Sequence, residues 1–187
     1  GSALSLSGAA YQGVFKNPLV APDLLGVSSG ACVGASVAIL LHLNSFGVQA
    51  MAFVAGILAV GLTLFIPRLI KNTNMTMLVL SGIIVKGIMD SVMGIIKYVA
   101  DPETELQSIT YWQLGSLTKV LPKDLFTVGP VIVAASVIIF LLRWRINILS
   151  LGDREAKTLG VSVTVVRNFI IICATLLTAS AVCISGT

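Results

Sequence analysis

Long apolar blocks alternate with short polar segments along the whole chain. Several blocks approach the roughly 20 residues that a helix needs to cross a bilayer. Strands of outer-membrane barrels alternate apolar and polar residues, so these continuous blocks predict helices instead. The pattern predicts six membrane helices, over residues 3–16, 24–42, 46–68, 76–99, 125–142 and 164–185. The first block is too short to cross a bilayer alone, and Pro130 is expected to bend the fifth helix.

Two polar segments predict short helices outside the bilayer. Residues 101–103 have the pattern of a helix cap, a first-turn proline and an acidic first turn, and they begin an amphipathic surface helix predicted over 101–116. The segment 147–162 holds a short charged stretch that Asp153 can cap and that Gly160 can end in a left-handed turn. We therefore predict a short helix within this second loop.

The start of the second membrane helix carries several local constraints. Pro18 and Pro22 cannot donate backbone hydrogen bonds, and each disfavours helical geometry in the residue before it. Asp23 can cap a new helix that begins near Leu24. That helix carries glycines at intervals of four residues: Gly26, Gly30 and Gly34. Their spacing predicts one face without side chains, where another helix can approach backbone to backbone.

Composition and charge indicate an integral, multi-pass membrane protein. Of the 187 residues, 56% are hydrophobic and only 11% are charged, whereas soluble domains carry roughly 25% charged residues. The net charge of +4 does not indicate a nucleic-acid partner, because the basic residues lie mostly at helix ends. Eight of them fall on one side of the predicted membrane: Lys16, Arg68, Lys71, Arg143, Arg145, Arg154, Lys157 and Arg167. The positive-inside rule makes that side cytoplasmic, with 147–162 inside the cell and 101–123 outside it.

Several chemistries are excluded by residues that the chain lacks or keeps apart. Its three cysteines, an odd number, lie in apolar blocks with no close spacing, which indicates neither a disulfide framework nor a metal cluster. The sequence has no G-x-x-x-x-G-K-[ST] motif for binding ATP. Residues 26–30 fit the G-x-S-x-G pattern of serine hydrolases, but the single histidine, His42, lies roughly 21 Å from Ser28 along a helix. We expect no enzymatic activity and no metal or other cofactor on this chain.

Lys86 and Asp90 are ionisable residues inside the fourth predicted helix, where they share one face with Gly82 and Met93. Ionisable groups at membrane depth are costly and normally face the bundle interior or a water-filled path. Two interpretations remain open. The residues form a structural Lys86–Asp90 pair between helices, or all four line a translocation path that suits anionic chelates.

Two segments carry a resemblance to a known family. Residues 17–31, NPLVAPDLLGVSSGA, resemble the signature loop of the permease subunits of ABC importers for ferric siderophores, haem and cobalamin. Residues 151–161, LGDREAKTLGV, resemble the coupling loop of the same family, which often has the pattern LGD-x-x-A-x-x-LGV. The resemblance implies an all-α polytopic transmembrane helix bundle like that of type II importer permeases. Since family members have about ten membrane helices, it also implies that this chain is an internal fragment, from the second helix to the seventh.

The resemblance also implies roles for three groups of residues. The signature turn and its helix packing would involve Asn17, Pro18, Pro22, Gly26, Gly30 and Gly34. A cleft on a cytoplasmic ATPase subunit would receive Leu151, Gly152, Asp153, Arg154, Glu155, Ala156, Leu159 and Gly160. The cytoplasmic gate of the pathway would be formed by Asn74, Met75 and Thr76. In the family, the helix that corresponds to residues 76–99 lines that pathway, which favours the second interpretation of Gly82, Lys86, Asp90 and Met93.

The resemblance therefore implies the membrane subunit of an ATP-driven importer for an iron chelate (siderophore or haem) or cobalamin in a bacterial inner membrane. ATP and magnesium are expected on a separate ATP-binding cassette subunit. The other expected partners are a second permease subunit, identical or different, and an external substrate-binding protein. The alternatives are a secondary transporter or channel without an ATPase, which should show repeated broken helices with matched charges, and a membrane scaffold without transport.

Overall fold

A computed structural model describes residues 1–71, 74–116, 122–160 and 162–187. For residues 122–125, 154 and 157 it describes the backbone only. This part of the chain is all-helical. Its helices are α1 (Ser2–Phe15), α2 (Val27–Leu40), α3 (Ser45–Leu69), α4 (Met75–Val99), α5 (Glu105–Leu114), α6 (Pro122–Leu141), α7 (Arg143–Leu151), α8 (Asp153–Thr158) and α9 (Val163–Ser185).

Three helices, α3, α4 and α9, are each long and apolar enough to cross a membrane. Residues 126–141 of α6 together with α7 make a fourth candidate span, bent by 54° at Leu142. Pro130 lies inside α6, as predicted, but the break comes at Leu142 rather than at the proline. The chain changes direction directly before Arg143 and Arg145, two basic residues that are costly at membrane depth.

The second membrane segment is only partly helical, which corrects the predicted helix over 24–42. Residues 17–26 form successive turns, and α2 begins at Val27 after Gly26, which adopts a left-handed conformation with φ 80°. The prolines at 18 and 22 remove two backbone donors, so a regular helix cannot continue from α1. Asp23 still contributes to capping, because its Oδ1 accepts the Ser28 N–H at 3.0 Å in the first turn of α2.

Helices α2 and α3 approach as the glycine spacing predicts. A Cβ atom added to Gly30 would lie 2.6 Å from the Ala59 side chain, and one added to Gly34 would lie 2.6 Å from Ala55. Neither position therefore has room for a side chain. Gly26 does not belong to this contact, because it lies outside the helix and faces the backbone of Lys86 in α4.

The core is centred on α9, which packs antiparallel to α1. The Ser7 hydroxyl lies 2.7 Å from that of Thr178, and the Tyr11 hydroxyl lies 3.0 Å from that of Thr175. All four residues are buried. Hydroxyl pairs of this kind satisfy polar groups that lipid cannot hydrogen-bond, so they fix the two helices side by side.

The surface helix is shorter than predicted. Helix α5 begins at Glu105, because Asp101 forms a preceding turn in which its carboxylate accepts the Thr104 hydroxyl at 2.7 Å and the Glu103 N–H at 3.2 Å. Glu105 in turn accepts the Asp101 N–H at 3.0 Å. The part of the predicted outer region that includes Lys119 lies outside the described residues.

Candidate coupling segment and polar cavity

Helix α8 forms a short charged helix inside the predicted coupling segment. Gly152 and Gly160, with φ 151° and 74°, flank it and allow the sharp turns at its two ends. Ala156 is completely buried, whereas Leu151 and Leu159 are 69% and 58% exposed. Ala156 therefore faces the rest of the chain, whereas the two leucines face outward. The exposed leucines flank α8 and leave an apolar surface free for contact.

Asp153 is the first residue of α8, and its carboxylate binds two cations instead of capping the helix as predicted. Oδ1 lies 3.0 Å from Lys16 Nζ, and Oδ2 lies 2.7 Å from Arg167 Nη2. Partial burial acts to raise the pKa of this carboxyl, but the hydrogen bonds and charges of Arg167 and Lys16 hold it below its usual range. Asp153 therefore stays ionised and links α8 to the end of α1 and the start of α9.

The other residues of the predicted coupling set have different surroundings. Glu155 is exposed, and its carboxylate lies where a Cβ on Gly152 would be, so Gly152 cannot be replaced without moving it. The side chain of Arg154 lies outside the described part of the structure. At the predicted cytoplasmic gate, α4 begins at Met75, with Asn74 as its N-cap residue. Met75 is half-buried against the main core and Thr76 is exposed.

Lys86 pairs with Asp23 rather than with Asp90, which corrects the first interpretation of the fourth helix. Lys86 Nζ lies 2.8 Å from Asp23 Oδ2. The residues are separated by 63 positions in the sequence, and the non-helical segment brings Asp23 back against α4. The Lys86 ammonium group, which would suit the path to anionic chelates, is therefore paired with a carboxylate.

A polar cavity of about 210 Å³ lies beside this ion pair. It is lined by Asp23, Ser28, Ser29, Cys32, Asp90, Met93, Gln113 and Thr187. Of the four predicted path residues, the cavity thus includes Asp90 and Met93. Gly82 instead packs against the backbone of Leu24 and Leu25. The arrangement brings two carboxylates and several neutral polar groups to one space at the start of α2.

The ion pairs of three residues could not be predicted from the sequence. Lys16 and Arg167 were predicted only as charges that set topology, and Asp23 was predicted only as a cap. A signal was present for Arg167, because it lies inside an apolar block and has to find an anion if it is buried. Nothing local indicates that the anion is Asp153.

The described helices define an all-α, polytopic membrane protein with a broken span and an exposed charged segment. The model of the FecCD transport family matches residues 1–187, and the chain belongs to this family. Over its full length the chain is 35% identical to the molybdate import system permease protein MolB of Haemophilus influenzae and 37% identical to the probable iron chelatin transport system permease protein of Helicobacter pylori strain 26695. It spans 55% and 56% of those two proteins, about half of their length.

The fold is also similar to a solved structure. That protein is assigned to the metal-chelate type of ABC transporter and was solved in an inward-facing conformation. The TM-score is 0.92 at 33% sequence identity, over 100% of this chain and 60% of the other.

Proposed function

We propose that the protein containing this chain is the membrane subunit of an ATP-driven importer in a bacterial inner membrane. The main support is the similarity of fold over the whole chain to an ABC transporter, with a TM-score of 0.92 at 33% identity. Membership of the FecCD transport family supports the same assignment. ATP and magnesium are bound by a separate cassette subunit, and a second permease subunit and an external binding protein complete the transporter.

The substrate class is an iron chelate, haem, cobalamin or a metal oxyanion. Relatives of this chain are named for iron chelatin, hemin, cobalamin and molybdate. Asp90 and Met93 line the path at the polar cavity, and Lys86 acts at its edge through Asp23. The cytoplasmic gate is formed by Asn74, Met75 and Thr76 at the start of α4.

The coupling surface is the exposed side of the segment from Leu151 to Gly160. A docking helix must present groups to its partner while being held by its own subunit. Leu151, Glu155 and Leu159 are exposed, which suits contact with the cassette subunit. Ala156 is buried, and Asp153 binds two other helices, which suits attachment to the permease.

Reconstitution of the full-length protein tests this proposal. The protein is purified together with a cassette subunit from the same organism and placed in liposomes. Uptake of four probes is then measured with and without internal ATP: a ferric hydroxamate, haemin, cyanocobalamin and molybdate. We expect the cassette subunit to co-purify and one probe to accumulate only with ATP.

The same experiment separates the importer from a secondary transporter or channel. Uptake that proceeds equally without ATP, or with no cassette subunit present, contradicts the proposal. Glu155→Ala combined with Leu159→Ala should reduce co-purification of the cassette subunit, because both side chains are exposed on the proposed docking surface. Val54→Ala, an exposed apolar position on α3, is the matched control and should leave co-purification unchanged.

A further inference from the structure

Asp153 holds the start of α8 through two helices that are far from each other in the sequence. Lys16, which follows the last residue of α1, binds Oδ1 at 3.0 Å, and Arg167, in the second turn of α9, binds Oδ2 at 2.7 Å. Both are charge-assisted hydrogen bonds, which are shorter and stronger than neutral ones. The start of α8 is therefore fixed relative to both helices.

The contact with Arg167 is more than a surface ion pair. The Arg167 side chain is only 7% exposed, and its Nε is buried without a hydrogen-bond partner among the described residues. A buried guanidinium needs a counter-charge, and the described carboxylate that supplies it is Asp153. This requirement keeps the Asp153 carboxylate at one place on α9.

Helices α1 and α9 are joined to each other independently of Asp153. The buried pairs Ser7–Thr178 and Tyr11–Thr175 connect them along their length. The opposite end of α9 is tied to the surface helix α5, where Thr187 donates its hydroxyl to the Gln113 carbonyl at 2.8 Å. Helix α9 is therefore one continuous helix that connects the α8 end of the bundle to the α5 end.

We propose that Asp153 is a positioning residue that fastens α8 to the α1–α9 pair, so that movement imposed on α8 displaces both helices together. This inference rests on the proposed function, in which the cassette subunit moves α8. Gly152 and Gly160 lie at the two ends of α8 and would otherwise let it rotate alone. The Asp153 carboxylate therefore attaches α8, a short helix flanked by two glycines, to α1 and α9.

The test removes the attachment without leaving a buried charge. Asp153→Ala alone leaves Arg167 unpaired and is expected to lower the yield of folded protein. The double variant Asp153→Ala/Arg167→Met removes both charges, and methionine keeps much of the length of the arginine side chain that it replaces. In the full-length transporter with its cassette subunit, we expect this variant to keep its melting temperature and its bound cassette subunit. Uptake per ATP hydrolysed should fall about tenfold, within the usual range of coupling between sites.

Asp101→Asn is the control, because Asp101 lies at the opposite end of the bundle and its carboxylate is bound by Thr104 and Glu103, with no cation among the described residues. It should leave uptake per ATP unchanged. If the double variant has a native ratio of uptake to hydrolysis, the ion cluster of Lys16, Asp153 and Arg167 only stabilises the fold, and the inference is overturned. Loss of the cassette subunit from the double variant would also overturn it, because Asp153 would then belong to the docking contact.

The two hypotheses fail in different ways. When the unmodified transporter takes up none of the four probes, or takes one up without ATP, the proposed function fails and the inference fails with it. When the unmodified transporter shows ATP-dependent uptake and the double variant retains the native ratio, the inference alone fails.

Discussion

Asp23 stabilises two parts of the fold with its two carboxylate oxygens. Oδ1 accepts the Ser28 N–H at 3.0 Å, and Oδ2 accepts Lys86 Nζ at 2.8 Å. The first contact satisfies a backbone donor at the start of α2, where the first N–H groups of a helix have no partner within it. The second contact neutralises an ammonium group on α4. One side chain therefore determines both where α2 begins and how α4 packs against it.

The two contacts can be separated by substitution of Asp23. Asparagine keeps an oxygen that can accept the Ser28 N–H but has no charge for Lys86, whereas alanine removes both contacts. We expect Asp23→Ala to lose about 1 kcal/mol more stability than Asp23→Asn, the usual value of a helix cap. Thermal unfolding of the full-length protein in detergent measures the difference. Lys86→Met, which leaves the cap intact, is the control, and equal losses for the two Asp23 variants would refute the capping role.

The Asp153 carboxyl makes stability depend on pH in the acid range. Since its pKa in the folded protein lies below the ordinary 3.8, ionised Asp153 stabilises the fold above that value. This contribution is lost as the pH falls through the lower folded pKa. We expect the melting temperature of the native protein to fall relative to that of Asp153→Ala/Arg167→Met as the pH drops below about 4. A difference between the two proteins that stays constant over this range would contradict the assignment.

At the scale of elements, long membrane helices follow directly from the apolar blocks. The predicted boundaries of α3, α4 and α9 lie within one residue of the observed ones. For α3 and α4, the polar residues Asn44 and Asn74 mark where the apolar block begins. The predicted start of α2, at residue 24, lies three residues before the observed start at Val27. The prolines indicate a break, but the turns that follow are held by Lys86, and no local pattern indicates a partner from another helix.

The close approach of α2 and α3 gives a prediction about single methyl groups. We expect Gly34→Ala to destabilise the protein by about 1–3 kcal/mol, because the added carbon overlaps Ala55 and forces the helices apart. Gly61→Ala is the matched control in α3, where an added Cβ meets nothing within 4 Å. It should be neutral or slightly stabilising. Both are measured by thermal unfolding in detergent, and similar losses at the two positions would argue against the tight contact.

At the scale of the whole molecule, the fold gathers charged residues from distant parts of the sequence. Lys16 and Asp153 are 137 positions apart, and Arg167 joins them from a third segment. Hydropathy predicts that such charges lie near a membrane surface but not which of them bind each other, since pairing depends on how the helices pack. Only the motifs 17–31 and 151–161 could indicate the family from the sequence. They predicted the exposed segment but not the ion cluster that holds it.

The two ends of the bundle give a prediction about sidedness. Lys16, Arg68 and Arg167 lie at the end that carries α8, and the positive-inside rule predicts that this end is cytoplasmic. In the full-length protein, we expect Thr158→Cys to react with a membrane-impermeant maleimide only after the cells are opened. Glu103→Cys, at the opposite end, should react in intact cells. The native cysteines Cys32, Cys173 and Cys183 are buried and should give little background, which the unsubstituted protein controls. Labelling of Thr158→Cys in intact cells would place α8 outside the cell, where a cytoplasmic ATPase cannot reach it.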